Sequence, residues 1–275
     1  MFIIKNFIYT SVGLTIFAIT VIVHSSQLTT THYTIETDKL QNPVRLLLLA
    51  DLHSKRYGED QQALLSKIHS LNPDVILMSG DIIDDKFSLF PIDAALGLFD
   101  GLADYPVFYV LGNHEIASNN ITRIKSVSRQ HGVIVLDGQH KTIEVNGQRI
   151  NIAGTDDPLI GRRHFETQLY SAFDGIDNSL FTIFLNHRPE RFSQVSHFEF
   201  DLMLAGHAHG GHWRIPFLNR GFVAPGQGIL PNYTSGPYEK GAQTLIVSRG
   251  LSSASVPIPR LFNPFEVVVI DVVPK

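Results

Sequence analysis

Short, almost continuous apolar runs alternate with amphipathic stretches along this chain. Residues 44–50, 74–78 and 106–110 are runs of strand length, as expected of strands covered on both faces. Between the first two, residues 59–71 place Leu64, Leu65, Ile68 and Leu71 at helical spacing, and Asn72-Pro73 ends the pattern. Helical spacing returns over 92–103 and 121–131. Three strand–loop–helix units in a row predict parallel strands with right-handed crossovers, so their C-terminal ends share one edge, the edge where such sheets bind ligands. Beyond residue 131, the segments 141–145 and 148–153 flank Asn146-Gly147, a turn pair suited to positive φ, and predict a hairpin. Strands at 181–185 and 200–204 bracket a helix starting near Pro189, and 243–248 and 266–272 supply two more. The alternation over 32–36 predicts an edge strand. The pattern is that of one mixed α/β sandwich, mainly parallel in its first half and richer in antiparallel pairs in its second.

The start of the chain is different. Residues 7–23 run seventeen positions without a charge, enough to span a bilayer with little tilt. A cleaved signal peptide and a buried core helix are the alternatives; the poor cleavage context at Val23-His24-Ser25 favours an uncleaved anchor. Lys5 and the amino terminus are the positive groups before the run, and the next is Lys39, which puts the N-terminus in the cytoplasm and the remainder outside. The expected division is an anchor over 1–24, a Ser/Thr/Gln-rich tether over 25–31 and a globular domain over 32–275.

Composition narrows the function. A chain of 275 residues, 44% hydrophobic, can bury a full core. Its net charge of −4 gives no basic footprint for non-specific nucleic-acid binding, and the absence of cysteine removes thiolate chemistry and disulfides. No Gly-x-Ser-x-Gly elbow marks a serine hydrolase.

The chemistry lies where the apolar runs end. Asp51-Leu52-His53, Gly80-Asp81-Ile82-Ile83-Asp84, Gly112-Asn113-His114-Glu115, Asn186-His187-Arg188-Pro189 and Gly206-His207-Ala208-His209-Gly210-Gly211-His212 each follow such a run. Among them His53, His114, His187, His207 and His209, five of the thirteen histidines, with Asp51, Asp81, Asp84 and Asn113, thus fall at strand ends expected to share an edge. One catalytic zinc takes three or four ligands, so this set suits two metals bridged by a carboxylate.

In order and context these five blocks resemble the signature of calcineurin-like metallophosphoesterases, over roughly residues 44–275, and together with the anchor and Ser248-Arg249-Gly250 they look most like membrane-anchored bacterial phosphodiesterases. The resemblance implies an αββα sandwich of two mixed β-sheets flanked by helices. It also implies that Asp51, His53 and His209 hold one metal, that Asn113, His187 and His207 hold the other, and that Asp81 bridges them. The activity implied is hydrolysis of a phosphodiester or diphosphate by a hydroxide bridging two divalent ions. Mixed carboxylate, amide and imidazole ligands suit Mn, Fe, Zn or Ni. By the same resemblance His114 is not a ligand but faces the departing oxygen, as a proton donor or as a stabiliser of transition-state charge. Asp84 either orients its ring or is a helix cap or loop acid. Alternatives are a phosphomonoesterase or a catalytically silent metal-binding scaffold; retention of His114 argues against the scaffold. The anchor points to a lipid-linked or nucleotide-sugar-lipid phosphate, with a soluble ester as the alternative.

Arg188, Arg249 and His212 are candidate substrate contacts, each with a plainer reading as a solvated or packed residue; Arg191 and Arg162-Arg163-His164 share that ambiguity. Glu115 reads as a helix-start charge, and Asp156-Asp157-Pro158 as a turn.

Overall fold

The computed structural model describes residues 9, 13, 15, 20–84, 92–215, 220–253 and 259–275. The strands are β1 (Leu28–Thr37), β2 (Val44–Leu49), β3 (Val75–Met78), β4 (Val107–Tyr109), β5 (Ile134–Val135), β6 (Gln139–Val145), β7 (Gln148–Gly154), β8 (Phe181–Leu185), β9 (Leu202–Ala205), β10 (Val223–Ala224), β11 (Gly228–Ile229), β12 (Gly236–Lys240), β13 (Gln243–Val247) and β14 (Phe265–Pro274). The α-helices are α1 (Gln62–Ser70), α2 (Ile92–Gly101), α3 (Asn113–Ala117), α4 (Ile121–Gln130), α5 (Arg162–Phe173) and α6 (Phe192–Val195).

Twelve strands form two six-stranded sheets, ordered β1-β14-β2-β3-β4-β5 and β12-β13-β9-β8-β7-β6, while β10 and β11 make a small separate ribbon. The continuous apolar runs are explained by the layers. In β2, Leu46 and Leu48 point between the sheets, where they join Val75, Leu77 and Phe108 and meet Ile150, Ile183, Leu204 and Ile246 of the second sheet. Leu47 and Leu49 point the other way, into a cluster with Leu64 and Ile68 of α1, Leu98 and Phe99 of α2 and Ile124 of α4. The outer face of the second sheet packs Phe184, Met203 and Leu245 against Phe165 and Leu169 of α5 and Phe192 of α6. The result is an αββα sandwich of two mixed sheets.

The second sheet is richer in antiparallel pairs than the first, as the sequence pattern predicts, but carries them at its flanks. Its centre is parallel, β7–β8–β9–β13, and only the flanking strands β6 and β12 pair antiparallel. The cause is α5, which the sequence pattern did not mark: with a helix between β7 and β8, that connection is a crossover rather than a meander. The stretch read as a tether is also largely strand, since Leu28–Thr31 opens β1, whose partner is β14. Most of the apolar run at 7–23 lies outside the described residues. Residues 20–25 are helical, and among the described residues no helix is long and apolar enough to cross a membrane.

Candidate metal centre

Five strand ends deliver the site. β2 leads to Asp51 and His53, β3 to Asp81, β4 to Asn113 at the start of α3, β8 to His187, and β9 to His207 and His209. The chain turns sharply at most of these points: Asp51, His53, Asp81, His207 and His209 all carry φ between 48° and 64°. Left-handed geometry in non-glycine residues costs on the order of 1–3 kcal/mol each and persists only where the surroundings impose it. Here the loops are stitched to one another. Asp51 N–H donates to Gly80 O at 3.1 Å, and His53 N–H to Asp81 O at 2.9 Å. His207 N–H donates to the Asp51 carboxylate at 3.1 Å, and His114 N–H to Asp81 Oδ1 at 2.9 Å. Two glycines allow this closeness: a Cβ on Gly112 would overlap the Asp81 carboxylate, and one on Gly206 would lie 2.7 Å from Asp51 Oδ2.

Two clusters of ligand atoms result, Asp51/His53/His209 and Asp81/His187/His207, with donor atoms in each within 4.8 Å of one another. They are joined through Asp81, whose Oδ2 lies 3.8 Å from His53 Nε2 and 3.1 Å from His187 Nε2. His209 Nε2 lies 3.7 Å from Asp51 Oδ1. Asp51, His53, Asp81, His187, His207 and His209 are all buried. The fit to a cation rests on what these atoms lack: His53 Nε2, His187 Nε2 and Asn113 Oδ1 are buried without a hydrogen-bond partner. Such an orphan ordinarily costs about 1–3 kcal/mol, and His53 Nε2 and His187 Nε2, on either side of Asp81 Oδ2 and each with a lone pair available, are what a bound cation would satisfy.

The tautomers agree. His187 Nδ1 faces Ser79 O at 2.7 Å and His53 Nδ1 faces Asp84 Oδ2 at 3.1 Å, so in the neutral form of each ring Nδ1 carries the proton and Nε2 turns its lone pair inward. Burial lowers His187, but the Asp81 carboxylate outweighs it and raises the ring to about 10, so a cation held there would displace its second proton. Burial, reinforced by the charge of His187 and His53 respectively, pushes His207 and His209 well below the usual imidazole range, into the neutral form that binds metal. For Asp81, burial acts to raise the pKa, but His187, His53 and His114 outweigh it and hold the carboxylate ionised.

His114 also falls within reach of His53 and Asp81 as a third possible cluster. Its Nε2 lies 4.0 Å from Asp81 Oδ2 and its Nδ1 3.6 Å from Asp84 Oδ1. Its side chain is 16% exposed against 3% for His53 and 0% for His187, so solvent reaches this ring and not theirs. Asp84 is buried, with its carboxylate closer to His53 than to His114, so it is not a solvated loop acid.

Glu115 is more than a helix-start charge. Fully buried, it accepts from Asp81 N–H and Gly112 N–H on Oε2, and from Ile83 N–H and Tyr109 Oη on Oε1. It thereby ties the Asp81 loop to the Asn113-His114 turn. Burial first, then the Asp81 charge, pushes its carboxyl up to about 7, while Ile83 N–H and Tyr109 pull the other way.

The three candidate substrate contacts separate. Arg188 is held at the edge of the centre: Nε donates to Asp157 Oδ2 at 2.7 Å, and Nη1 lies 3.2 Å from His207 Nε2. Asp157 also caps the turn at Pro158–Ile160 through Leu159 N–H, as an Asp-Pro turn should. Arg249, by contrast, is turned into the seam of the first sheet, where it pairs with Glu266 at 2.8 Å and reaches Thr29 and Thr31, so it is a structural residue. His212 is buried behind His209, its ring stacked on it at 5.5 Å; burial and then Arg260 push it down to about 4. Its packed reading holds. Of the basic residues beyond these, Arg162 pairs with Glu166 on the exposed face of α5 and Arg191 with Gln194. Arg260 escaped the sequence reading altogether. It is 3% exposed, with Nη2 3.2 Å from His209 Nδ1 and donating to Arg249 O and Ser252 O, and no motif around it signals this role.

Comparison with known proteins agrees with this geometry. The family model described as calcineurin-like phosphoesterase matches residues 44–211. The chain is 28% identical over 242 residues to YkuE of Bacillus subtilis, described as an uncharacterized metallophosphoesterase, covering 86% of this chain and 82% of that one. It is 28% identical over 218 residues to the phosphodiesterase YaeI of Escherichia coli, covering 77% and 76%. Among solved structures, TT1561 of Thermus thermophilus superposes with a TM-score of 0.50 at 12% identity, covering 75% of this chain and 89% of that one, a likeness of fold.

Proposed function

The chain belongs to the calcineurin-like phosphoesterase family, hydrolases of phosphoester bonds, and on that premise we propose that it hydrolyses a phosphodiester or diphosphate at a dinuclear metal centre. Asp51, His53 and His209 hold one divalent ion, Asn113, His187 and His207 hold the other, and Asp81 joins the two. The ions are Mn, Fe, Zn or Ni, which accept this thiolate-free donor set. Two such ions would supply a hydroxide for in-line attack and offset charge on the phosphate oxygens. The protein's own groups do the rest. His114, the ring open to solvent, faces the departing oxygen and gives it the proton on Nε2, while Nδ1 is turned to Asp84. Asp84 serves both His53 and His114, so it couples the orientation of a ligand to that of the acid. Arg188, fixed by Asp157, presents Nη1 to a phosphate oxygen beside His207. The name phosphodiesterase carried by YaeI supports a diester over a monoester.

The observation that carries this reading is the pair of ligand clusters linked through Asp81, with the Nε2 atoms of His53 and His187 buried and partnerless on either side of it. Protein purified without chelator should contain about two transition-metal equivalents per chain at saturation; a saturating value of one overturns the dinuclear centre. His114→Ala should keep both ions yet slow esters with poor leaving groups by roughly 10²–10⁴-fold, and nitrophenyl esters much less. Loss of metal, or equal slowing on every ester, would show that His114 is a ligand or that the acid lies elsewhere.

The apolar run at residues 7–23 is part of the same proposal. We read it as an uncleaved anchor with the catalytic domain outside the cytoplasm, which makes a lipid-linked phosphate the favoured substrate class.

A further inference from the structure

Around the metal loop the surface is apolar. Directly after His212, Trp213 is 41% exposed and stacks on Phe222, 40% exposed, with ring centroids 6.2 Å apart. Phe222 O accepts Leu230 N–H, and Val223 pairs with Ile229 in the β10–β11 ribbon, so Ile229 and Leu230, 69% and 58% exposed, continue the same surface. Ile215 is exposed beside them, and Arg220, also exposed, accepts from its N–H. These residues adjoin the centre itself. Phe222 N–H donates to Gly211 O at 3.0 Å, and a Cβ on Gly226, between β10 and β11, would lie 3.4 Å from both His207 Nε2 and Arg188 Nη1.

A monomeric soluble protein seldom gathers so many exposed large apolar side chains at one place without a partner for them. The N-terminal segment points to that partner. Its apolar run leads into the helical residues 20–25, where Ile22 and Val23 are exposed, and Ser25 Oγ lies 3.5 Å from Asn263 N–H. Asn263 in turn donates through Nδ2 to His209 O and His212 O. Ser25, the residue that directly follows the stretch read as an anchor, therefore meets the residue that holds the backbone of His209 and His212.

We propose that Trp213, Phe222, Ile229 and Leu230 form a rim that seats the mouth of the metal centre on a lipid bilayer. Tryptophan suits such a boundary, with an apolar ring and a polar edge, and the Trp213 indole N–H is already satisfied by Pro259 O at 3.0 Å. Arg220 at the margin favours anionic headgroups. The inference takes the anchor proposed above as its premise and adds a second, shallower contact that aims the site at the membrane surface.

Trp213 is the chain's one tryptophan, so its emission reports on the rim alone. Full-length protein is reconstituted into vesicles of phosphatidylglycerol and phosphatidylcholine, with and without bromination of the phosphatidylcholine acyl chains, and flotation is measured alongside. The expected result is flotation, a blue shift of Trp213 emission on reconstitution, and loss of intensity with the brominated lipid. Ile229→Asp with Leu230→Asp should still float but lose the shift. The pair should also raise KM for vesicle-borne hexadecyl p-nitrophenyl phosphate roughly tenfold, leaving soluble bis(p-nitrophenyl) phosphate unaffected. Flotation with water-like, unquenched Trp213 overturns the rim and spares the anchor; failure to float overturns both. A stable dimer in detergent, seen by light scattering and dissolved by Ile229→Asp with Leu230→Asp, would give the rim a second copy as its occupant and overturn the proposal. A wild-type protein inactive on both esters would count against the phosphodiesterase reading alone, because the fluorescence needs no turnover.

Discussion

At the scale of single residues, Glu115 shows how much a site depends on groups that never meet substrate. All four of its partners donate, so only a carboxylate, which accepts on both oxygens, can serve them. Glu115→Gln turns one oxygen into a donor facing donors. The expected loss is roughly 1–3 kcal/mol for each partner left unsatisfied, visible as a lower urea midpoint, and metal content should fall with it. An unchanged midpoint and full metal content would show that the loops are held by their backbone bonds alone. The candidate ligands were legible because each follows an apolar run and belongs to a residue type with a lone pair to offer. Glu115 was legible only as a charge, since nothing in sequence tells that its neighbours are backbone N–H groups from two loops. Arg249 and Arg260 mark the opposite limits: the one near a motif is engaged in the sheet, and the one far from any motif stands behind His209.

Among the elements, β8 at Phe181–Leu185 coincides with its expected span, and the helix expected at 121–131 ends one residue early, at Gln130. Both have strong periodicity and clear stops. α5 was invisible because one of its four buried positions is Gln168, whose amide serves Asp156, and a polar residue on the inner face breaks the apolar stripe. β12 opens with Gly236-Pro237, which only an edge strand tolerates. The extension of β1 back to Leu28 was hidden by threonines, which read as linker yet hold the seam: Thr29 donates to Phe265 O and Thr31 to Glu266 Oε2. A chain starting at residue 32 would lose both threonines and leave Arg249 and Glu266 short of partners. It should be less stable than one starting at residue 26 by roughly 1–3 kcal/mol in urea unfolding. Equal stability would mean that Leu28–Thr31 adds nothing to the first sheet.

For the whole molecule, the division of ligands between the sheets is what matters. Asp51, His53, Asp81 and Asn113 follow strands of the first sheet, and His187, His207 and His209 follow strands of the second. Ions held by both sets would clasp the layers at one edge, so metal should stabilise the sandwich as a ligand of the native state does, by about 2.7 kcal/mol at a hundred times Kd. Chelation should lower the calorimetric midpoint by roughly 5–10 °C, and added Mn or Zn should restore it. A midpoint indifferent to metal would mean that the two sheets need no clasp. The sandwich class was readable from the order of runs and helices. The pairing of the two half-sites was readable only through the resemblance, because the register of one sheet on another leaves no mark in a single sequence.

The position of β14 carries a consequence for how the protein is made. It lies between β1 and β2, parallel to one and antiparallel to the other, and Thr29 bonds to a residue 236 positions further along. During synthesis the strand that precedes Asp51 must therefore wait, with one edge unpaired, until residues 265–274 have left the ribosome. Pairing over such a span is slow, and open strand edges invite association with other chains. The emerging chain is thus at risk of aggregation until that strand is made, and a ribosome stalled ahead of residue 265 would hold a nascent chain in which the ligands have been made but the first sheet cannot close.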